Sequence, residues 1–508
     1  MKKCLLLLIP AVFLLGLFIR LYQIRILPGE WYGDISNVHE YVMEIKNLDW
    51  PFYFLQSPGP FYHYLIFPLT VLFQHRGYET YKLASIVVSL IGLGSVYLMA
   101  GELAGRKIAL LTILMMTFSL WYLVWSRLGN SQIVIPMIVS LTFWFYLRFL
   151  KKLNVRDLLL GGFISSLGWY TYPQTFILPV FYFCVVFYGF IKNKANRQWR
   201  QLKLLALLLF TAFIPFVMIV IKQTGGGDQN FSAEGYVGRK VLPLFQMEAG
   251  NLIYKTMANL GKTMLMLHYR GDGTFRVNIT GRPMLDGVSG LLFLVGLVYL
   301  FRRRRSAFWL ILAILPALSL PSLSPVLPDA EIPNSARTIA LTPFVYLISA
   351  SGLYAVFTAV KRKSTGFSLG LATGAIFWIA FSNLSNYFRD YKRGLPENNL
   401  APSQIIADYL DGKVPAAYRL NFAECCWGDY GQPEPKGIYY SLRKPRLADY
   451  LKLTENCRDI RKFPAVVVAR RDEEFRQKFN SCPASKSEAV YSPDGLFIAN
   501  LYFLEDIY

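Results

Sequence analysis

The sequence is short of acid. It has 32 Asp and Glu against 53 Lys and Arg, a formal net charge of +21, and only four histidines. A basic excess of this size on a soluble chain points to nucleic acid. Here the charge is not gathered on one polar surface: Lys2 and Lys3, Arg106 and Lys107, Arg148 to Arg156, Lys192 to Lys203, Arg302 to Arg305, and Lys361 to Lys363 each flank an apolar block. That distribution excludes a nucleic-acid partner. Also missing are a P-loop, a dinucleotide fingerprint, a nucleophile elbow and any Cys-x-x-Cys pair, so no nucleotide, acyl-serine or zinc-ribbon chemistry is indicated. The basic loops are too short to form the cytoplasmic domain that a nucleotide-sugar enzyme would want. No internal repeat appears, against the expectation for many transporters. No small-x-small cleavage site follows the first apolar run before Arg20, so that run reads as a membrane helix rather than a signal peptide.

What is there is apolar: 54% of the 508 residues are hydrophobic and 16% aromatic. They come in blocks of about 15–22, near the length that crosses ~30 Å of hydrocarbon. With basic loops inside, the expectation is a mainly α, polytopic membrane protein of about 11 transmembrane helices, at roughly 4–20, 81–101, 108–125, 131–149, 157–169, 175–191, 204–221, 287–301, 307–320, 338–360 and 367–383. Its N-terminus is cytoplasmic, and its long outer loops are the first (21–79) and the fourth (222–286). The apolar run Phe61–Phe73 is set aside as interfacial or re-entrant, since counting it as a span would place every later basic loop outside.

Residues 1–385 form the expected membrane domain and 386–508 a small extracytoplasmic α/β domain. In the tail, Phe463–Ala469 reads as a buried strand, Asp472–Phe479 as a helix, and Ser492-Pro493-Asp494-Gly495 as a turn between strands. Cys425, Cys426, Cys457 and Cys482 lie there, in a compartment where cysteines pair; four allow three complete pairings, the adjacent Cys425 and Cys426 are expected to take different partners, and a Cys-rich metal site is the less favoured alternative.

The unusual polar residues fall in the loops expected outside. Asp34, beside Trp31 and Tyr32, fits two readings. One is a partly desolvated general base, and the other is a cap for the helix Ile35–Lys46. Arg127, in Ser126-Arg127-Leu128-Gly129-Asn130, and Arg337, in Ile332 to Thr338, lie on the side where arginine is disfavoured. Their planar forks suit a phosphate, and snorkelling to headgroups is the plainer account. His63, Asn130, Tyr170, Tyr172, Gln174, His268 and Arg270 are candidate substrate contacts, against an aromatic belt for the tyrosines and structural roles for the histidines. Glu234, Arg239, Asp272 and Arg276 crowd the fourth outer loop with His268 and Arg270.

An ordered series of local patterns then carries a resemblance. It runs through Gly33-Asp34, Gly59-Pro60-Phe61-Tyr62-His63-Tyr64-Leu65, Gly105-Arg106-Lys107-Ile108-Ala109 and Ser126-Arg127 before Pro136. Tyr170-Thr171-Tyr172, Gly281-Arg282-Pro283-Met284-Leu285-Asp286 and Arg337 before Pro343 continue it. Over roughly residues 1–385 the chain resembles the protein mannosyltransferase and aminoarabinose transferase group, family 39, of the GT-C glycosyltransferases. It departs from that pattern at Ile35, Pro58 and Phe176. The resemblance implies a polyprenyl-phosphate sugar donor, an inverting transfer to a hydroxyl acceptor on protein, lipid or glycan, and a first-loop acid as base, which by position is Asp34. Arg337, with Arg127 second, is the expected phosphate ligand. Metal use varies in this group, and no ligand set is visible here. A transporter or lipid flippase and a non-catalytic scaffold are the competing readings. Helices 2–6 carry almost no charge at their centres, which disfavours the first.

Overall fold

A computed structural model describes residues 2–50, 59–73, 77–192, 199–225, 242–424, 427, 434–444, 446–448, 453–470, 477–479 and 486–505; side chains 2–6, 192, 219–225, 242 and 457 are not described. Cys425, Cys426 and Cys482, the Cys457 side chain, Glu234 and Arg239 therefore lie outside the described residues, as does the start of the expected helix Asp472–Phe479.

Every segment expected to span is helical. Among the described residues the α-helices of seven residues or more are, in chain order, α1 (Lys2–Leu21), α2 (Gly33–Lys46), α3 (Phe61–Leu72), α4 (Tyr78–Ala104), α5 (Arg106–Phe118), α6 (Leu120–Arg127), α7 (Ile135–Lys152), α8 (Val155–Ser166), α9 (Leu178–Lys192), α10 (Trp199–Gly225), α11 (Ala249–Leu265), α12 (Gly287–Arg303), α13 (Arg305–Leu323), α14 (Thr342–Lys361), α15 (Thr365–Ser385), α16 (Pro402–Lys413) and α17 (Pro435–Ser441). Among the described residues seven helices are long and apolar enough to cross a membrane, or eight if the bent pair α5 and α6 is one span. α3 has 12 residues, too short to cross.

The α5–α6 break bends by 63° at Ser119, without a proline. The Ser119 hydroxyl accepts from the Tyr122 N–H at 3.2 Å and donates to the Tyr346 hydroxyl, so it starts a new helix where the first one stops.

The chain divides into two compact units. The first takes Met1–Tyr22, Glu44–Phe67 and Ala84–Tyr391. At its centre α12 and α14 run in near backbone contact, because membrane helices gain their attraction from close packing at small residues. A Cβ on Gly296 would fall 1.8 Å from the Ile348 carbonyl oxygen, and one on Gly352 would fall 1.9 Å from that of Leu292. The Ser349 hydroxyl donates to the Ser289 carbonyl at 3.1 Å in the same seam. Gly296→Val should force the helices apart and cost about 1–3 kcal/mol or more, as overpacking does. Gly374→Ala on α15, with nothing within 4 Å of its Cβ, should be neutral. Melting of the purified proteins in one detergent checks the pair.

The second unit takes Gln23–Met43, Pro68–Leu83 and Lys392–Tyr508, so two stretches of the first long loop join the tail. Its sheet has the order β1 (Arg419–Phe422), β2 (Ala465–Ala469), β4 (Phe497–Leu504), β3 (Lys486–Tyr491). β1 and β2 are parallel, and the other pairings are antiparallel. β2 is buried throughout, as its unbroken apolar run requires. The turn at 492–495 holds Gly495 at φ 81°, with the Gly495 N–H on the Ser492 carbonyl at 2.9 Å. α16 and α17 pack with the sheet through Ile406, Leu410 and Ile438.

Long-range polar contacts bind loop to tail within this unit. Glu30 spans the start of α16, accepting from the Ser403 N–H at 3.1 Å and the Ser403 hydroxyl at 2.5 Å. A carboxylate there satisfies an orphan N–H and meets the positive end of the helix. The Asn399 side chain accepts from the Gly29 N–H and donates to the Ile26 carbonyl, each at 2.6 Å. Glu30→Ala should cost about 1–2 kcal/mol, the range for a lost N-terminal cap. The check is earlier limited proteolysis within 392–508.

Candidate functional site

In the first unit the loop between α13 and α14 carries Arg337. Its guanidinium pairs with the Glu331 carboxylate and reaches the Glu331 carbonyl at 3.4 Å; the arginine side chain is 17% exposed and that of Glu331 41%. The Arg337 N–H donates to Asn334 Oδ1 at 3.0 Å, and the Thr338 hydroxyl to the Asn334 carbonyl at 2.7 Å, so Asn334 shapes the turn.

A second loop supports the first. Asp272 is buried and its carboxylate accepts from the Ser335 N–H at 2.6 Å and the Thr274 N–H at 2.8 Å. Its backbone carbonyl takes the Gly281 N–H at 2.8 Å and the Asn278 amide at 3.0 Å. Gly271 allows the close return of the chain, since a Cβ there would lie 2.1 Å from the Arg282 carbonyl oxygen. Arg282 pairs with Asp390 at 3.2 Å, and Asp390 also takes Arg389 at 2.8 Å. Asp286 starts α12, accepting from the Ser289 N–H at 2.9 Å and from the Asn383 amide at 2.8 Å. A partly exposed cation is thus mounted on a loop whose backbone is fixed by a buried carboxylate.

Several other candidates face inward. Arg127 is fully buried, donates to the carbonyls of Ile19 (3.1 Å) and Tyr22 (2.7 Å), and lies over the rings of Tyr387 and Phe388. Both bonds leave one guanidinium nitrogen, Nη1, and hold the end of α1. Asn130 accepts from the Ser131 N–H at 2.7 Å and starts a short helical turn. Gln174 is buried and donates to the Leu318 carbonyl at 3.2 Å. The Tyr170 hydroxyl donates to the Ala212 carbonyl. His63 is enclosed, and burial pushes its imidazole down to about 3, so it is neutral near pH 7. His268 shares a 3.1 Å hydrogen bond with the Gly290 carbonyl and packs edge-on to Phe293. Arg270 is exposed and Tyr172 half-buried.

Asp34 belongs to the second unit, in the first turn of α2. It is exposed, which corrects the expected desolvation: Trp31 and Tyr32 beside it are the buried ones. The helix begins at Gly33, two residues before the expected Ile35, so Asp34 stands within the first turn instead of ahead of it. α2 is fixed from beneath. The Trp31 indole N–H donates to the Ser36 hydroxyl at 2.7 Å, Tyr81 and His39 share a 2.6 Å bond, and the His39 ring lies 3.8 Å from that of Tyr440. The buried Lys82 ammonium donates to the carbonyls of Ile24 (3.1 Å) and Pro28. Sequence reading missed His39, Tyr81 and Lys82, whose partners lie far off in the chain. Among the described residues no group of three or more His, Cys, Asp or Glu is arranged to hold a metal ion.

Residues 56–221 match the family model described as dolichyl-phosphate-mannose-protein mannosyltransferase. No curated protein sequence matches the chain. Among solved structures, ArnT from Cupriavidus metallidurans in the apo state is 12% identical, with 97% of each chain covered and a TM-score of 0.58. The same protein bound to undecaprenyl phosphate gives 12% identity, coverage of 99% of this chain and 98% of that one, and a TM-score of 0.54. The archaeal oligosaccharyltransferase AglB from Archaeoglobus fulgidus, in complex with an inhibitory peptide and a dolichol-phosphate, is 13% identical over 98% of this chain and 74% of its own, with a TM-score of 0.50. At such identities the likeness is one of fold. The chain is therefore a multi-pass membrane protein with an ArnT-like fold, and its resemblance to the GT-C superfamily, read first from scattered motifs, stands on that fold and on the matched segment 56–221.

Proposed function

We propose that this protein is an inverting glycosyltransferase that moves a sugar from a polyprenyl-phosphate donor to a hydroxyl acceptor on the extracytoplasmic side. The observation that carries the reading is the mannosyltransferase match over residues 56–221 on a fold that, in ArnT, was solved with undecaprenyl phosphate. In this reading the N-terminus is cytoplasmic, residues 1–385 hold the catalytic machinery, and 386–508 face the acceptor's compartment.

Arg337 meets the donor phosphate. Its fork is already engaged by Glu331, so binding exchanges a carboxylate for a phosphate on the same guanidinium. Asp34 takes the proton of the acceptor hydroxyl. The acceptor oxygen bonds to the anomeric carbon as the bond from that carbon to the phosphate oxygen breaks, and Arg337 offsets the charge gained by the leaving phosphate. One base and one leaving group suit a single displacement with inversion, whereas retention asks for a second placed carboxylate. Arg127, turned inward, positions α1 in this scheme.

The test is direct. The purified protein in lipid nanodiscs is given radiolabelled polyprenyl-phosphate sugars and a panel of hydroxyl acceptors. Transfer with release of polyprenyl phosphate is expected. Donor binding with no transfer to any acceptor, or transport of the intact lipid across the bilayer, would overturn the reading.

A further inference from the structure

We infer that α11 is an in-plane membrane helix that seats the Arg337 loop at the bilayer surface; the bearing of this on catalysis rests on the proposed function, but the placement does not. The side chains of α11 sort into three arcs at 3.6 residues per turn. One arc packs on protein: Asn259 and Thr263 are buried, and the Asn259 amide donates to the carbonyls of Leu323 (3.4 Å) and Ser324 (3.0 Å). α11 is thereby fixed across the C-terminal end of α13, the end away from the Arg302–Arg305 turn.

The second arc is apolar and open. Ile253, Tyr254, Met257, Met264 and Leu265 fall within about a third of the circumference, and each is between 55% and 74% exposed. Gly250 and Gly261 lie among them with nothing within 4 Å of a built Cβ, which leaves the strip smooth. The third arc is polar: Lys255 is exposed, and Lys262 pairs with Asp329 at 2.6 Å. Such a helix in water would leave five large apolar side chains wet, at about 1.5–3 kcal/mol for each.

The occupant of the strip is the acyl region of the leaflet that the C-terminal end of α13 reaches. Three observations favour lipid over a protein partner. α13, to whose C-terminal end α11 is fixed, also carries exposed apolar residues, Leu312 and Leu320, on a helix long and apolar enough to span. Exposed aromatic residues flank the helix, Phe245 before it and Tyr269 after it, as at a headgroup boundary. The lysines border one side of the strip only, so the helix has one wet and one oily side, the pattern of helices that lie in the interface. The functional link is short. Asn259 and Lys262 both hold residues of the loop 324–341, which carries Glu331 and Arg337. The depth of α11 in the leaflet sets the depth of that loop, where a lipid-borne phosphate arrives.

The experiment places a photo-crosslinking amino acid at position 257 or 255 of the full chain, in nanodiscs of labelled phospholipid with a trace of polyprenyl phosphate. These positions lie on nearly opposite sides of the helix, so about tenfold more phospholipid adduct is expected at 257 than at 255. A small aliphatic diazirine side chain is run beside a benzophenone one, so that bulk does not decide the result. Equal adducts at the two positions, a crosslink from 257 to a second copy of the chain, or preferential capture of the trace polyprenyl phosphate would each overturn the inference. Adduct formation needs no turnover, so the result stands apart from the fate of the glycosyltransferase reading.

Discussion

Asp34→Asn should lower turnover by about 10²–10⁴-fold, the usual worth of a positioned general base. In barrier terms that is about 2.7–5.4 kcal/mol. The substitution separates the two readings of this residue. Asp34 stands in the first turn of α2, where a polar side chain helps the helix start. Asparagine keeps the size and polarity and gives up only the charge at the helix's positive end, about 0.3–1 kcal/mol, so melting temperature should fall slightly and donor affinity should stay near that of the parent. It cannot take a proton, so the chemical step should fail. The measurement is single-turnover transfer with saturating donor, beside a binding isotherm for the donor lipid. Near-parental single-turnover rates with an intact fold would remove Asp34 from the chemistry and leave it a helix-starting residue.

Arg337→Ala should lower kcat by about 10²–10³-fold, on the scale of losing one preorganised donor to a developing anion. Donor KM should rise as well. Arg337→Lys should recover part of the loss, because the charge returns without the two-pronged geometry. The decisive companion is Glu331→Gln. Glu331 pairs with Arg337. Removing its charge frees the guanidinium for phosphate, so donor KM should fall while kcat changes little. A structural pair would respond the other way, with loss of stability in both variants and no gain in donor affinity. Donor titrations of the three variants, each with a melting curve, distinguish these outcomes.

The fold was legible where its cause is local. Hydropathy over about 20 residues reports membrane helices because each must satisfy its own backbone in lipid, and every expected segment is helical. The turn at Ser492–Gly495 was legible because its residue types set its backbone. The break at Ser119 was hidden, since one serine in an apolar run has no distinct signature and its Tyr346 partner lies 227 residues away. Distance also hid the supports of the candidate site. Asp272 stood out as a charged residue among others, but the N–H it holds belongs to Ser335, 63 residues on. The two arginines differ in their surroundings. Arg127 and Arg337 gave the same signal, a cation on the disfavoured side, yet one is fully buried on backbone carbonyls and the other is partly exposed. A side chain's type states what it can bind, and only the surrounding chain decides whether that capacity is already used.

The unit that holds Asp34 is stitched from the start, the early middle and the end of the chain, with Glu30 and Ser403 separated by 373 positions. During synthesis the early pieces leave the ribosome long before the residues that hold them. Until the last stretch is delivered, Glu30, Trp31 and His39 lack the neighbours described above. A chain halted anywhere before residue 392 therefore presents an unfinished first loop, however well its helices are inserted. Closure of this unit thus waits on residues 402–441, and until they arrive Trp31 and His39 lack the Tyr440 ring that packs against both.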